Sequence, residues 1–373
     1  MYYGKELKAL HRSKRFRSRT LYNSELVDFA SNDYLGLAHN KELLNQTTTM
    51  LANEQIYASK SSMLVNGYHQ IHKDFETALC KANHFEDAVV MGSGFNANIA
   101  LIEALVRKGD ILFMDELYHA SGVLATNLHG IEVHFFKHND MKQLHTLLQT
   151  HQAKRKIIAV EGIYSMDGDL CDKKVFEIAN EYDALLIVDE AHSSGVVGEN
   201  LMGVFDLYNI TPQPNHIKMG TLGKAYGSFG AYILASEHII TYLLNRAKPL
   251  IYATALSLYD TLFAHNSLRY ILEHKKQLKQ QIQKRKQIVE EELNLTSDSL
   301  ILPILIKDNI KVMQLKQLLE ADGYSIGAIR QPTVPHAILR VILRVGESEE
   351  SLRIVCKKIK SLLETMKYKK ISC

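Results

Sequence analysis

The sequence predicts an α/β protein in two parts: a large domain built on a mainly parallel, seven-stranded sheet between helices, then a smaller α+β domain. Three observations predict this. Short apolar runs alternate with helical-period segments through the middle of the chain. Two of those runs, Ile157 to Val160 and Leu185 to Val188, have no polar alternation, as strands buried on both faces require. Near Leu258 the texture changes to a Lys/Gln/Glu-rich stretch with aliphatic residues at helical spacing. The boundaries drawn from these shifts are an N-terminal arm over 1–40, a large domain over 41–240 and a smaller domain over 241–373.

Taken in order, the expected strands of the large domain are Ala88 to Met91, Ile111 to Met114, Glu132 to Phe136, Ile157 to Val160, Leu185 to Val188, Ile217 to Met219 and Ala231 to Leu234. Gln70 to Ala82 carries Ile71, Phe75 and Leu79 at four-residue spacing, which gives a helix one apolar face. Asn96 to Arg107 is apolar nearly all round and is expected as a buried helix. A long helix over Leu258 to Asn294 leads into the smaller domain, where strands are expected over Leu300 to Ile306 and Ala337 to Arg344 and helices over Val312 to Asp322 and Glu349 to Met366.

Composition excludes several classes of function. A chain of 373 residues with 46% hydrophobic and 23% charged residues has the material for a large buried core. A formal charge of +3 gives no global reason to expect a nucleic acid or an anionic membrane as partner. The one basic run, His11, Arg12, Ser13, Lys14, Arg15, Phe16, Arg17, Ser18 and Arg19, reads as a solvated arm or as a clamp for a carboxylate or phosphate. Cys80, Cys171, Cys356 and Cys373 form no C-x-x-C pair, so neither a disulfide framework nor a metal site is expected. With no apolar leader and no run of about 18 apolar residues, the expected location is the cytoplasm.

The chemistry concentrates at strand ends. Asp189 closes the run Leu185 to Val188, at the carboxyl end of a strand, where open α/β sheets place their ligands. A carboxylate buried there needs a cationic partner. Lys224 follows Thr221, Leu222 and Gly223 on a turn flanked by Gly227. The segment Gly92-Ser93-Gly94-Phe95-Asn96-Ala97 lies between a strand and a helix and presents free backbone N–H groups to an anion. An amine, a strand-end carboxylate and a phosphate-binding helix start together suit pyridoxal 5′-phosphate, which needs an amine for its aldehyde and an anion for its ring nitrogen. Two rivals use parts of the same pattern. Asp189-Glu190-Ala191-His192 spells a helicase box, but there is no G-x-x-x-x-G-K-[ST] loop to accompany it. The glycine segment with Asp115 matches an NAD fingerprint, but that reading leaves Asp189, His192 and Lys224 without roles. His119 and Ser165 also follow apolar strands, and so join the candidate pocket.

These motifs, in this order, resemble the α-oxoamine synthase family of fold-type I pyridoxal phosphate enzymes. The likeness runs from Ser31-Asn32-Asp33-Tyr34-Leu35-Gly36-Leu37 to Leu339-Arg340 and includes Asp115 to Ser121, Glu161 to Asp169, Asp189 to Gly195 and Thr221 to Gly230. It implies a homodimer that condenses an amino acid with an acyl thioester and releases carbon dioxide. By the resemblance, Gly94 and Phe95 lie at the cofactor phosphate, His119 covers the ring, Ser165 and His192 hold the ring hydroxyl, and Thr221 also reaches the cofactor. Asp189 serves the ring nitrogen, and Lys224 is both the cofactor lysine and the proton shuttle. His119, Thr333 and Arg340 fall where the family binds substrate, with Arg340 as carboxylate clamp, and the resemblance implies that Asn32 contributes from the partner subunit of the dimer. Gly327 to Pro335 is most similar to the branch that joins L-alanine to a pimeloyl thioester, on coenzyme A or an acyl carrier protein, rather than the branch that joins glycine to acetyl-CoA. Among Arg15, Arg17 and Arg19, Arg17 is taken for the pimeloyl carboxylate. The chain departs from the family at Ala58-Ser59-Lys60-Ser61-Ser62, where relatives are glycine-rich.

Overall fold

The apolar runs of the middle third assemble into one sheet. In the computed structural model, which describes residues 2–368 apart from positions 14, 22 and 129, the helices are α1 (Gly4–Arg12), α2 (Lys41–Ala52), α3 (Gln70–Asn83), α4 (Gly94–Leu105), α5 (Ala120–Thr126), α6 (Met141–Thr150), α7 (Lys174–Glu181), α8 (Val204–Leu207), α9 (Glu237–Arg246), α10 (Lys248–Ile251), α11 (Leu258–Leu293), α12 (Asn309–Ala321) and α13 (Glu349–Tyr368). The strands are β1 (Val27–Phe29), β2 (Asp87–Met91), β3 (Ile111–Asp115), β4 (Glu132–Phe136), β5 (Lys156–Glu161), β6 (Leu185–Asp189), β7 (His216–Thr221), β8 (Ala231–Ala235), β9 (Ile301–Leu305), β10 (Tyr324–Ile329) and β11 (Ile338–Ile342). Lys14 of the basic run and Cys373 lie outside the described residues.

Seven strands order as β2-β8-β7-β6-β5-β3-β4, and β8 alone runs antiparallel to its neighbours. The absence of polar alternation has a direct cause. Ile157 and Ala159 of β5 face one apolar cluster, with Leu101 and Ile102 of α4 and Leu243 of α9. Ile158 and Val160 face another, with Leu144 and Leu148 of α6 and Val175 and Phe176 of α7. Both faces of the central strands are therefore dry.

A second sheet has the order β1-β10-β11-β9. β1 pairs in parallel with β10, and β11 lies antiparallel between β10 and β9. The N-terminal segment thus joins the sheet of the C-terminal third. One buried residue secures this union. Arg344 meets Asp28 Oδ2 and Asp33 Oδ2, each at 2.8 Å, and its Nε donates to the Asp33 carbonyl at 3.0 Å. The long helix α11 starts where Ser257 accepts from the Asp260 N–H and stops at Asn294, whose φ of 56° is left-handed.

The segment Ala58 to Ser62 is tied down without glycine. Ser59 donates to the Leu256 carbonyl at 2.5 Å, Ser62 donates to the Ile251 carbonyl at 2.8 Å, and the Ser61 carbonyl accepts from the Ala255 N–H at 2.9 Å. Among the described residues, no helix is long and apolar enough to cross a membrane.

Candidate active site

The carboxyl ends of β3, β5, β6 and β7 converge beside the start of α4. Asp189, at the end of β6, is 4% exposed. Its Oδ2 accepts from Asn98 Nδ2 at 2.8 Å and its Oδ1 from the Ala191 N–H at 3.0 Å. Asn98 lies one turn into α4 and accepts in turn from the Tyr118 hydroxyl at 2.6 Å. It also contacts Ser121, which lies 2.6 Å from His119 Nδ1. A hydrogen-bonded line therefore joins His119, which is exposed at the mouth, to the buried carboxylate of Asp189.

Lys224 sits in the turn after β7, which is closed by the Leu222 N–H to the Gly230 carbonyl and the Gly227 N–H to the Lys224 carbonyl, both at 2.9 Å. The flanking glycines answer different needs. A Cβ on Gly227, where φ is +63°, would stand 2.4 Å from the Ala38 backbone nitrogen, so this glycine admits the N-terminal segment rather than a ligand. At Gly223 a Cβ would come no closer than 3.5 Å to the protein. Thr221 turns back onto the Gly230 carbonyl at 3.1 Å.

Lys224 Nζ lies 2.9 Å from His192 Nε2, and His192 Nδ1 lies 2.6 Å from the Tyr34 hydroxyl. Burial pushes the Lys224 amine down to about 8, against the pull of Asp189 and Glu161 and with the help of Arg340. Burial holds His192 far below the usual imidazole range, reinforced by the charges of Lys224, Arg340 and His119. It is therefore neutral at physiological pH. Glu161, in register with Asp189 on the neighbouring strand, is 2% exposed. Burial and the Asp189 charge raise its pKa well above the carboxylate range. Glu161 Oε2 accepts from the Ser165 N–H at 3.0 Å, and its Oε1 finds no partner among the described residues.

Arg340, on β11, closes the far side. Its Nε donates to the Ser165 carbonyl at 2.8 Å and its Nη1 to Asn32 Oδ1 at 3.0 Å. Asn32 reaches the pocket from the same chain, bound to Arg340. Arg17 and Thr333 meet each other at 3.3 Å in a separate cleft of about 380 Å³, which Arg15, Lys316 and Arg330 also line. Neither touches the group around Lys224 among the described residues.

At the start of α4, Ser93 accepts from the Asn96 N–H, while the N–H groups of Gly94 and Phe95 have no acceptor among the described residues. A Cβ on Gly92 would meet nothing within 4 Å, and one on Gly94 would come no closer than 3.6 Å to its nearest neighbour, the Thr221 side chain. The helix start therefore faces open space, as an anion cradle does. Asp115, which the NAD reading required, is consumed internally. It is wholly buried and accepts from the N–H groups of Leu117 and Asn139, with His138 Nδ1 at 3.3 Å. Sequence reasoning passed over Asn98, Tyr34 and Glu161 as site residues. Asn98 had a signal: it is a polar residue on the buried side of a mostly apolar helix.

A strand-end carboxylate, a half-buried amine on a tight turn and an open helix start define a cofactor-dependent enzyme on an α/β scaffold. The chain belongs to the aminotransferase class I and II family, whose model matches residues 24–359, and within it to the α-oxoamine synthases. An 8-amino-7-oxononanoate synthase of Helicobacter pylori strain J99 is 42% identical over 353 residues, covering 94% of this chain and 95% of the relative. Another, of Saccharophagus degradans, is 36% identical over 370 residues, covering 93% of each. Among solved structures, an 8-amino-7-oxononanoate synthase of Francisella tularensis superposes with a TM-score of 0.76 at 26% identity, covering 93% of this chain and 99% of the other. A serine palmitoyltransferase of Sphingomonas wittichii shares the fold, with a TM-score of 0.88 at 22% identity and 98% coverage of both chains. The family's cofactor is pyridoxal 5′-phosphate. The amine, carboxylate and free N–H groups described above are the donor set it requires.

Proposed function

We propose that the protein condenses L-alanine with a pimeloyl thioester to give 8-amino-7-oxononanoate, carbon dioxide and free thiol, a reaction of biotin biosynthesis. The observation that carries the reading is the half-buried Lys224 amine beside neutral His192, on the same strand-end platform as Asp189. When bound, the cofactor supplies an aldehyde and a ring that accepts electrons.

The rest falls to side chains of this chain. Gly94 and Phe95 offer their N–H groups to the phosphate. Asp189, held by Asn98 and the Ala191 N–H, keeps a proton on the ring nitrogen. Ser165 and His192 would hold the ring hydroxyl, Thr221 would reach the cofactor, and His119 would cover the ring. With its pKa near 8, Lys224 has a share of free amine at neutral pH, so it can remove the proton from the alanine Cα and later return one there. Arg340, oriented by its Nε on the Ser165 carbonyl and its Nη1 on Asn32, offers its Nη2 N–H groups to the alanine carboxylate. Arg17 and Thr333 receive the distal end of the pimeloyl chain.

Thiol release is expected to require both L-alanine and a pimeloyl thioester, with coenzyme A and acyl carrier protein forms assayed in parallel. A preference for glycine and acetyl-CoA would reverse the choice of branch. We also infer a cytoplasmic homodimer. Leu64, Val65, Phe95, Phe229 and Tyr252 are large apolar side chains left 47–79% exposed. A homodimer would cover such side chains. Light scattering should give twice 42.3 kDa, and a monomer would contradict the inference.

A further inference from the structure

One buried ionisable group has no part in the chemistry above. Tyr34 is 0% exposed, and its hydroxyl lies 2.6 Å from His192 Nδ1 and 3.4 Å from Asn32 Oδ1. Its backbone is pinned from both sides: the Tyr34 carbonyl accepts from the Val345 N–H at 2.8 Å, and its neighbour Asp33 is clamped by Arg344. Burial raises the phenol pKa far above its ordinary value, so the hydroxyl stays neutral and can both donate and accept.

The other nitrogen of His192 faces Lys224 in the cofactor-free protein and would be shared with the ring hydroxyl when the cofactor is bound, and Lys224 must change its protonation state in the proposed reaction. As an ammonium it can only donate to Nε2, so the imidazole hydrogen must sit on Nδ1. That hydrogen needs an acceptor, and the Tyr34 oxygen is 2.6 Å away. The Tyr34 proton then turns to Asn32. Once Lys224 has given up its proton, Nε2 is free to carry the hydrogen and donate it, and Nδ1 becomes an acceptor. Tyr34 then turns its O–H to Nδ1. Between the two arrangements one proton leaves, the one lost from Lys224. The imidazole and the phenol both remain neutral, and only the position of their hydrogens changes.

We propose that Tyr34 is a positioning residue whose hydroxyl reverses its hydrogen bond so that His192 can exchange tautomers as Lys224 gains and loses its proton. A phenylalanine could satisfy neither arrangement. An Nδ1–H left without a partner in this pocket costs more than an unpaired lone pair, so the ammonium-accepting tautomer is the one that suffers. This inference rests on the proposed role of Lys224, but its test does not need the cofactor to bind.

The test uses the full chain with ring-¹⁵N-labelled histidine, the His192 signals being assigned by their loss in His192→Asn. In the cofactor-free wild type, the Nδ1 and Nε2 shifts should exchange character as pH is raised through about 8, where Lys224 titrates. The charged and titratable groups facing this pair are Arg340, His119, Asp189 and Glu161. A single tautomer from pH 6 to 10, as a span of about two units either side of that value, would overturn the proposal without any variant. In Tyr34→Phe, the hydrogen should stay on Nε2 throughout; exchange as in the wild type would also overturn it. Tyr34→Phe should lower kcat/KM about tenfold in the wild-type background and less than about twofold in the His192→Asn background. Equal losses in both backgrounds would assign Tyr34 a merely structural role. Failure of the protein to take up pyridoxal phosphate would count against the proposed function and leave the histidine spectra as an independent test.

Discussion

Replacing Lys224 by alanine is expected to lower kcat/KM by roughly 10⁴-fold, because the proposed mechanism has one side chain both bind the cofactor and move the substrate proton. The variant should lack the visible absorption band of the lysine-bound cofactor. In the wild type, borohydride should fix the cofactor's mass to the peptide that carries Lys224. Retention of the band in Lys224→Ala would remove this lysine from the chemistry. The same residue makes a stability prediction with a definite sign. Its pKa is about 8 in the fold against 10.5 in the free side chain. The unfolded chain therefore binds more protons between these values, so the stability associated with a neutral Lys224 is present above pH 10.5 and is lost as pH falls through 8. Cofactor-free Lys224→Met should thus be more stable than the wild type at pH 7 by about 2 kcal/mol. That gap should narrow as pH rises past 10, which denaturation at a series of pH values would measure.

Arg344→Met should cost about 3–5 kcal/mol of unfolding free energy, the loss that follows when buried partners are left without their cation. Arg344 is 2% exposed, and its removal strands Asp28 and Asp33, which are 5% and 9% exposed. The consequence reaches the pocket, since these two carboxylates anchor the segment that carries Asn32 and Tyr34. The KM for the amino acid should therefore rise more than the dissociation constant of the cofactor, whose proposed phosphate site is the start of α4. Chemical denaturation together with steady-state kinetics tests both points. A loss below about 1 kcal/mol would show that the segment is held by other contacts.

The strands of the large sheet were legible because each is a short apolar run with both faces buried. The seven expected strands appear within about one or two residues of their predicted ends. β10 escaped because its burial alternates only weakly and Gly327 interrupts its pattern. β1 escaped because three residues carry no periodicity. α2 was obscured by the run Thr47-Thr48-Thr49, whose branched side chains disfavour helix, yet Asn40 caps it by accepting from the N–H groups of Glu42 and Leu43. At the site, Asp189, Lys224 and the α4 start could be read because each follows directly from a strand that patterning reveals. Tyr34 and Asn98 could not, since their importance lies in partners far away in the chain, His192 for one and Asp189 for the other.

By itself, the sequence determined the family and which polar groups stand at the strand ends. Local composition places a carboxylate, a lysine turn and a helix start wherever a buried strand stops, and motif order carries the resemblance. The tertiary structure alone decided how those groups are set electrically. It folds the first strand into the last sheet through Arg344, and so brings Tyr34 and Asn32 against His192 and Arg340. It also removes water around Lys224, His192 and Glu161. Those shifts depend on burial and on distances between distant chain segments, and neither quantity is encoded in any local run of residues.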